Sequence, residues 1–278
     1  MARGYEELKL DGLTLRGVSR GGVETCLMVP ELGLMFDVGM CPRGAIKFDR
    51  VLVSHGHADH LGGLFYLLSQ RSLMRRGAPD VYVPREILEP LQTIAAQWSA
   101  IEDFELPVRF WPCDPEQAIA LGDGLEALPL RSVHRVASLA YVISRTTQRL
   151  RSEFVGRPGP ELAQLRRSGV RLTSPESTPI LCVSGDTQIE LFLGDARVRQ
   201  SRVLVHEVTA WDGKRDRAST REWGHTHVDE MIACAERFEG DTLVLVHRSL
   251  RHSRADAERI VRERFPATIR DKVVVFGY

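Results

Sequence analysis

An α/β fold in which two β-sheets face each other, with helices on their outer sides, is what this sequence predicts. Three observations carry that reading. The first 55 residues are short extended segments punctuated by glycine; helical spacing begins at His60; and apolar strand-like segments then alternate with amphipathic ones to the end of the chain.

The early extended segments are Leu13 to Val18, Glu24 to Val29, Gly33 to Val38 and Val51 to Ser54, a meander by their spacing. Leu61, Leu64, Phe65, Leu68 and Leu73 fall near a 3.6-residue repeat and predict a helix, and Pro84 to Gln97 supplies a second one after the strand Val81 to Val83. Further strands are predicted at Leu125 to Leu130, Leu139 to Ile143, Pro179 to Ser184, Val203 to Val208, Thr242 to His247 and Val273 to Phe276. Helices at Val228 to Phe238 and Arg254 to Phe265 separate the last three.

No repeat or linker divides the 278 residues, so one domain spanning 1–278 is expected. With 43% hydrophobic and 27% charged residues the chain is not disordered or fibrous, and no apolar run approaches the roughly 18 residues that cross a bilayer. Met-Ala-Arg-Gly-Tyr-Glu-Glu-Leu lacks the pattern of a secretory leader, which predicts a cytoplasmic protein with no membrane partner. Cys26, Cys41, Cys113, Cys182 and Cys234 are scattered and contain no C-x-x-C pair, so neither a disulfide framework nor a thiolate metal site is expected. Thirty-seven basic and 37 acidic residues cancel, which removes any global field for nucleic acid and confines a polyanion site to a local patch. One such patch is 144–171, with seven arginines against Glu153 and Glu161, a balance of +5. Its centre, Gly156-Arg157-Pro158-Gly159-Pro160, predicts a turn rather than a helix or a central strand, and so a basic surface insertion.

The sharpest feature is His55-Gly-His57-Ala-Asp59-His60, directly after the apolar Val51-Leu52-Val53. Residues two apart in an extended segment project the same way, so His55 and His57 can reach one metal while Asp59 and His60 turn toward a second. Four side chains cannot complete two coordination shells, and His134, Asp186 and His247 lie at the ends of predicted strands, where the missing ligands belong. A carboxylate such as Asp186 can bridge two cations, and nitrogen and oxygen ligands without thiolate suit Zn²⁺, with Mn²⁺ or Fe as other candidates.

With these residues in place the chain resembles the metallo-β-lactamase-fold hydrolases, and among them tRNase Z, the tRNA 3′-end endonuclease, above all its short plant form. The likeness runs from Gly21-Gly22-Val23-Glu24-Thr25-Cys26 and Phe36-Asp37-Val38-Gly39 through the histidine loop. It continues at His134 to Tyr141, Ser184-Gly-Asp186-Thr187, His206-Glu207-Val-Thr209, Gly224-His225-Thr226-His227 and His247-Arg-Ser249-Leu-Arg251. The resemblance implies an αββα four-layer sandwich, a homodimer, precursor tRNA as substrate and two Zn²⁺ per chain. One ion would be held by His55, His57 and His134 and the other by Asp59, His60 and His247, with Asp186 between them and Asp37 supporting the loop. Glu207 and His225 would act as a pair near the leaving group, and Tyr141, Ser249 and Arg251 would contact phosphate or RNA. Long bacterial members carry an arm with a Gly-Pro tip that grips tRNA, which casts Gly159 and Pro160 as tRNA contacts. Arg248 and His252 stand where family members have aromatic residues, and an altered RNA-facing rim is the expectation there.

Two divalent cations activate a water and neutralise phosphate charge, so no protein nucleophile is needed. Asp59 would orient that water or accept its proton, and His225, made more basic by Glu207, would protonate the leaving 3′ oxygen. The products would be a tRNA 3′-hydroxyl and a 5′-phosphorylated trailer. The rival readings are a hydrolase of a small phosphodiester or cyclic nucleotide, which zero net charge favours, and a metal-free RNA-binding scaffold, which the filled ligand set disfavours.

Overall fold

The computed structural model describes residues 5–213 and 215–277. In the first sheet β1 (Glu6–Leu10), β2 (Leu13–Arg20), β3 (Glu24–Val29), β4 (Leu34–Phe36), β5 (Arg50–Leu52), β6 (Asp80–Pro84) and β7 (Arg109–Cys113) lie side by side in chain order. The first four are antiparallel and β4 to β7 are parallel. The second sheet repeats this plan. From one edge to the other it holds β8 (Ile119–Gly122), β9 (Leu125–Arg131), β10 (Leu139–Leu150), β11 (Thr173–Val183), β12 (Val203–Glu207), β13 (Thr242–Val246) and β14 (Val273–Val275). It too is antiparallel up to β11 and parallel afterwards.

Two short helices, α1 (Ala58–Leu61) and α2 (Leu64–Leu73), follow β5, and α3 (Arg85–Glu102) follows β6. In the second half come α4 (Gly159–Arg167), α5 (Glu190–Gly194), α6 (Ala196–Gln200), α7 (Arg217–Glu222), α8 (Val228–Cys234), α9 (Arg254–Arg264) and α10 (Ala267–Arg270). Among the described residues no helix is long and apolar enough to cross a membrane.

Alternation along the strands builds the layers. Leu181, Val183, Val203, Val205, Val244 and Val246 face Leu27, Leu34, Phe36 and Leu52 in a core between the sheets. Their neighbours Cys182, Leu204, Leu243 and Leu245 point the other way, against Phe192, Met231, Ile260 and Phe265 of the outer helices. Val51, Val81 and Val83 do the same for α2 and α3 on the other side. Strands buried on both faces must be apolar at every position, which is why β12 and β13 read as continuous runs instead of alternating ones. The result is the four-layer αββα arrangement. Leu204 is completely buried in the outer core. Leu204→Ala is expected to cost about 2–5 kcal/mol, measured as a lower midpoint in denaturant with an unchanged slope.

Three differences from the sequence reading have physical causes. The helix expected from His60 is broken at Gly62-Gly63 into α1 and α2, because the Gly63 amide leaves the helical ladder to donate to the Val38 carbonyl at 2.7 Å, an approach so close that a β-carbon on Gly63 would lie 2.8 Å from that oxygen. Strands β1, β7 and β8 were not foreseen, although Gly122-Asp123-Gly124, which joins β8 to β9, is a recognisable hairpin turn. The segment 144–171 is also more ordered than an irregular insertion. β10 and β11 run on past the sheet as a two-stranded ribbon, paired from Arg145↔Thr178 to Leu150↔Thr173, with α4 at its tip. The expectation that Gly159-Pro160 excludes a helix is therefore corrected: both residues begin α4, where proline costs nothing because the first helical N–H groups have no intrahelical partner. Residues 146–150 and 174–178 of the ribbon are exposed, so it stands about 20 Å out into solvent.

Candidate metal centre

All the predicted ligands converge at one edge of the sandwich, at the carboxyl ends of β5, β11 and β13 and in the turn joining β9 to β10. His55, His57, His134 and Asp186 form one group and Asp59, His60 and His247 another, the ligating atoms of each lying within 4.8 Å of one another. In the first, His55 Nε2 is 3.0 Å from His57 Nδ1, His134 Nε2 is 3.3 Å from His57 Nδ1, and Asp186 Oδ2 is 3.7 Å from His55 Nε2. In the second, His247 Nε2 is 3.2 Å from His60 Nε2 and 3.3 Å from Asp59 Oδ2. Asp186 turns its other oxygen to this group: Oδ1 is 3.2 Å from His60 Nε2 and 3.4 Å from His247 Nε2.

These spacings are close to the ~3.3 Å edge of a tetrahedron whose corners lie about 2.0–2.1 Å from its centre, the geometry of nitrogen and oxygen donors on zinc. Asp186 Oδ1 is buried with no hydrogen-bond donor, and a buried carboxylate oxygen left in that state needs a cation. The donor set therefore fits a metal.

Four of the imidazoles, those of His55, His60, His134 and His247, are oriented from behind. Ser54 Oγ gives its proton to Asp37 Oδ2 at 2.8 Å, so it accepts from His55 Nδ1 at 3.0 Å and leaves Nε2 with a lone pair facing the cluster. His60 Nδ1 donates to Asp37 Oδ2 at 2.8 Å and His134 Nδ1 to the Gly224 carbonyl at 2.8 Å, with the same outcome. Thr209 Oγ1 donates to Glu207 Oε2 and accepts from His247 Nδ1 at 2.9 Å. Asp59 is fixed by the Gly22 amide, 2.8 Å from Oδ2. Such partners fix the tautomer and raise ligand basicity. Thr209→Val removes the link behind His247, and a 10–100-fold weaker metal affinity is expected, roughly the cost of losing one supporting hydrogen bond; titration of the apoprotein with Zn²⁺ would check it.

The backbone is shaped to the same end. Asp37 and His247 adopt left-handed conformations with φ of 58° and 61°, unfavourable for residues with a β-carbon and held here by the contacts just described. Gly39 permits a close approach: a β-carbon on it would lie 1.8 Å from the Asp59 carbonyl.

Burial pushes the His55, His57 and His134 pKa values down, favouring the neutral form that ligates. For Asp186 burial acts upward, but the surrounding His247 and His60 outweigh it and hold the carboxyl well below its usual range. His55, His60, Asp186 and His247 are buried, whereas His57, Asp59, His134 and His225 are only partly covered, so the cluster opens to solvent on their side.

On that open side His225 Nδ1 lies 3.0 Å from Glu207 Oε1 and 3.8 Å from Asp186 Oδ2. Its ring stacks on His247 with centroids 5.4 Å apart. Burial alone would lower the His225 pKa, but the Glu207 carboxylate prevails and raises it to about 9. Glu207 is 1% exposed and also accepts from the Thr187 and Thr226 amides, which fixes its orientation.

Two expectations change here. Tyr141 is 1% exposed and its hydroxyl donates to the Val53 carbonyl at 2.8 Å, so it braces the strand leading into the histidine loop and offers no surface to a substrate. Arg248 and His252 are buried rather than on a rim; Arg248 donates to the carbonyls of His252 and Gly277 and ties down the end of the chain. Gly159 and Pro160 begin α4 at the tip of the ribbon, the position that an arm contact requires. Ser249 and Arg251 follow the last ligand, with Arg251 exposed.

The profile of the Beta-lactamase superfamily domain matches residues 40–248. The tRNase Z TRZ1 of Arabidopsis thaliana is 31% identical over 256 residues, covering 91% of this chain and 91% of that protein. A nuclear ribonuclease Z of Triticum aestivum is 34% identical over 60% of this chain and 95% of its own. Among solved structures, human tRNase Z, short form, superposes with a TM-score of 0.60 at 17% identity, covering 94% of both chains. The metallo-β-lactamase fold protein YhfI from Bacillus subtilis does so at 0.63 and 14%. The sandwich, the edge on which the ligands meet and these likenesses agree: the chain belongs to the tRNase Z family of the β-lactamase superfamily.

Proposed function

We propose that this protein is a metal-dependent endoribonuclease that hydrolyses the phosphodiester at the 3′ end of precursor tRNA, leaving a tRNA 3′-hydroxyl and a 5′-phosphorylated trailer. The observation that carries the reading is the Glu207–His225 pair set against Asp186 at the open side of the ligand cluster, in a chain of the tRNase Z family. Two ions, zinc by their donors, fit the two ligand groups, with Asp186 facing both. When bound, such ions supply an activated water and neutralise charge on the attacked phosphate.

The chain's own residues supply the rest. Asp59, anchored by the Gly22 amide and only partly covered, would orient the attacking water and receive its proton. His225, kept protonated through neutral pH by Glu207, gives a proton to the departing 3′ oxygen. Ser249 and Arg251, following the last ligand, and Gly159 and Pro160, at the tip of the basic ribbon, contact the RNA. Within the ribbon Arg149, Arg151 and Arg157 pair with Glu176, Glu153 and Glu161, whereas Arg166 and Arg167 in the last turn of α4 point the tip's positive charge outward.

A homodimer fits the apolar side chains exposed on α2 and α3, Tyr66, Leu73, Ile94, Trp98 and Ile101, and five free cysteines fit the reducing cytoplasm. The decisive experiment is incubation of zinc- or manganese-loaded protein with a 3′-extended precursor tRNA, with bis(p-nitrophenyl) phosphate as a second substrate. A single cut next to the discriminator base is the expected result. Turnover of the small diester alone would reassign the protein as a general phosphodiesterase.

A further inference from the structure

An exposed tryptophan and two arginines border the centre on the His225 side, and nothing described so far uses them. Trp223 caps the C-terminus of α7, is 49% exposed, and is separated from His225 by Gly224 alone. The Arg135 guanidinium sits 4.6 Å from the centroid of its indole ring and that of Arg215 5.9 Å. Arg135 directly follows His134, whose Nδ1 donates to the Gly224 carbonyl at 2.8 Å, so the same hydrogen bond ties both sides of the cluster to a ligand histidine. Gly224 is needed for this closeness: with φ of 79°, a β-carbon there would lie 2.6 Å from His134 Nδ1.

The chemistry of the cluster is specific. A guanidinium over an aromatic ring is held by its face, so its in-plane N–H donors stay available for a bidentate contact with phosphate. A carboxylate partner would have consumed those donors, and among the described residues neither arginine has one. Two guanidinium groups gathered on an exposed indole, which the chain joins to His225 through Gly224, match a phosphodiester backbone.

We propose that Arg135 and Arg215, held in place by Trp223, grip the RNA backbone on the leaving-group side of the scissile bond. This rests on the endonuclease reading, because the strand that bears the departing 3′ oxygen must pass His225. Trp223 is a positioning residue that acts through the two guanidinium groups.

The test uses the metal-loaded full chain and two measurements: binding of a short fluorescent single-stranded RNA across a salt series, and kcat and KM on precursor tRNA. Arg135→Gln and Arg215→Gln are each expected to reduce the slope of log affinity against log salt by about 0.7, the value for one phosphate contact to a single strand. KM for precursor tRNA should rise about three- to tenfold in each, with a smaller change in kcat. Trp223→Ala should approach the slope of the double arginine variant, and Trp223→Tyr should restore most of the wild-type slope, which a merely structural role would not do. Arginine variants with the wild-type slope and KM would overturn the grip. Failure of the unmodified enzyme to cut precursor tRNA would overturn the endonuclease reading instead, while the RNA slopes would still decide on the grip.

Discussion

Asp186→Asn is expected to lower precursor tRNA hydrolysis by about a thousandfold or more, because it removes the one charged group shared by both ligand sets. The carboxylate is 2% exposed and faces His55, His60 and His247. An asparagine of the same shape keeps the packing but presents either a neutral oxygen or an N–H group where lone pairs are required. Metal content, measured by mass spectrometry after gel filtration, should fall together with activity, while the circular dichroism spectrum remains that of the folded protein. Full metal occupancy with undiminished turnover would show that Asp186 is not a ligand.

The second large effect separates two substrates. His225→Gln keeps a hydrogen-bonding side chain opposite Glu207 but has no proton to give, so precursor tRNA cleavage should fall by about 10²–10⁴-fold, the usual range for a lost general acid. Bis(p-nitrophenyl) phosphate expels a phenolate stable without protonation, and its hydrolysis should fall far less. Equal losses on both substrates would mean that His225 serves the metal cluster rather than the leaving group. The pH dependence follows from the same pair. A pKa raised to about 9 keeps the acid charged below that pH and loses it above. Glu207→Gln removes the carboxylate that raises it. Activity of that variant should therefore decline from a lower pH than in the wild type, with the largest deficit on the alkaline side and the smallest near pH 6.

The convergence of the candidate ligands was legible in the sequence because they lie at or just beyond the ends of apolar strands, and strands of one sheet end on common edges. What spacing could not convey was the layer behind the ligands. That Thr209 links Glu207 to His247, or that Ser54 and Asp37 orient His55 and His60, depends on contacts between segments as much as 38 residues apart. Tyr141, Arg248 and His252 were misplaced for a related reason: position next to a site motif does not say whether a side chain points at the site or away from it. Tyr141 points into the core between the sheets and Arg248 toward the chain end. The ribbon beyond Arg145 was hidden because its strands are exposed on both faces and so lack the apolar alternation by which strands are recognised. Trp223 was overlooked because a lone aromatic carries no signal until its arginine partners are brought to it.

The two halves of the molecule repeat one plan, a four-strand meander that turns parallel and is wrapped by helices on one side. Yet they divide the ligands unequally: residues 55 to 60 come from the first half, and His134, Asp186 and His247 from the second. Neither half contains a complete ligand group, so ions bound there would act as a rivet between two sheets otherwise joined by their shared apolar core. Metal removal should then loosen the joint before it melts either half, with amides along the facing edges exchanging earliest and the outer helical layers last.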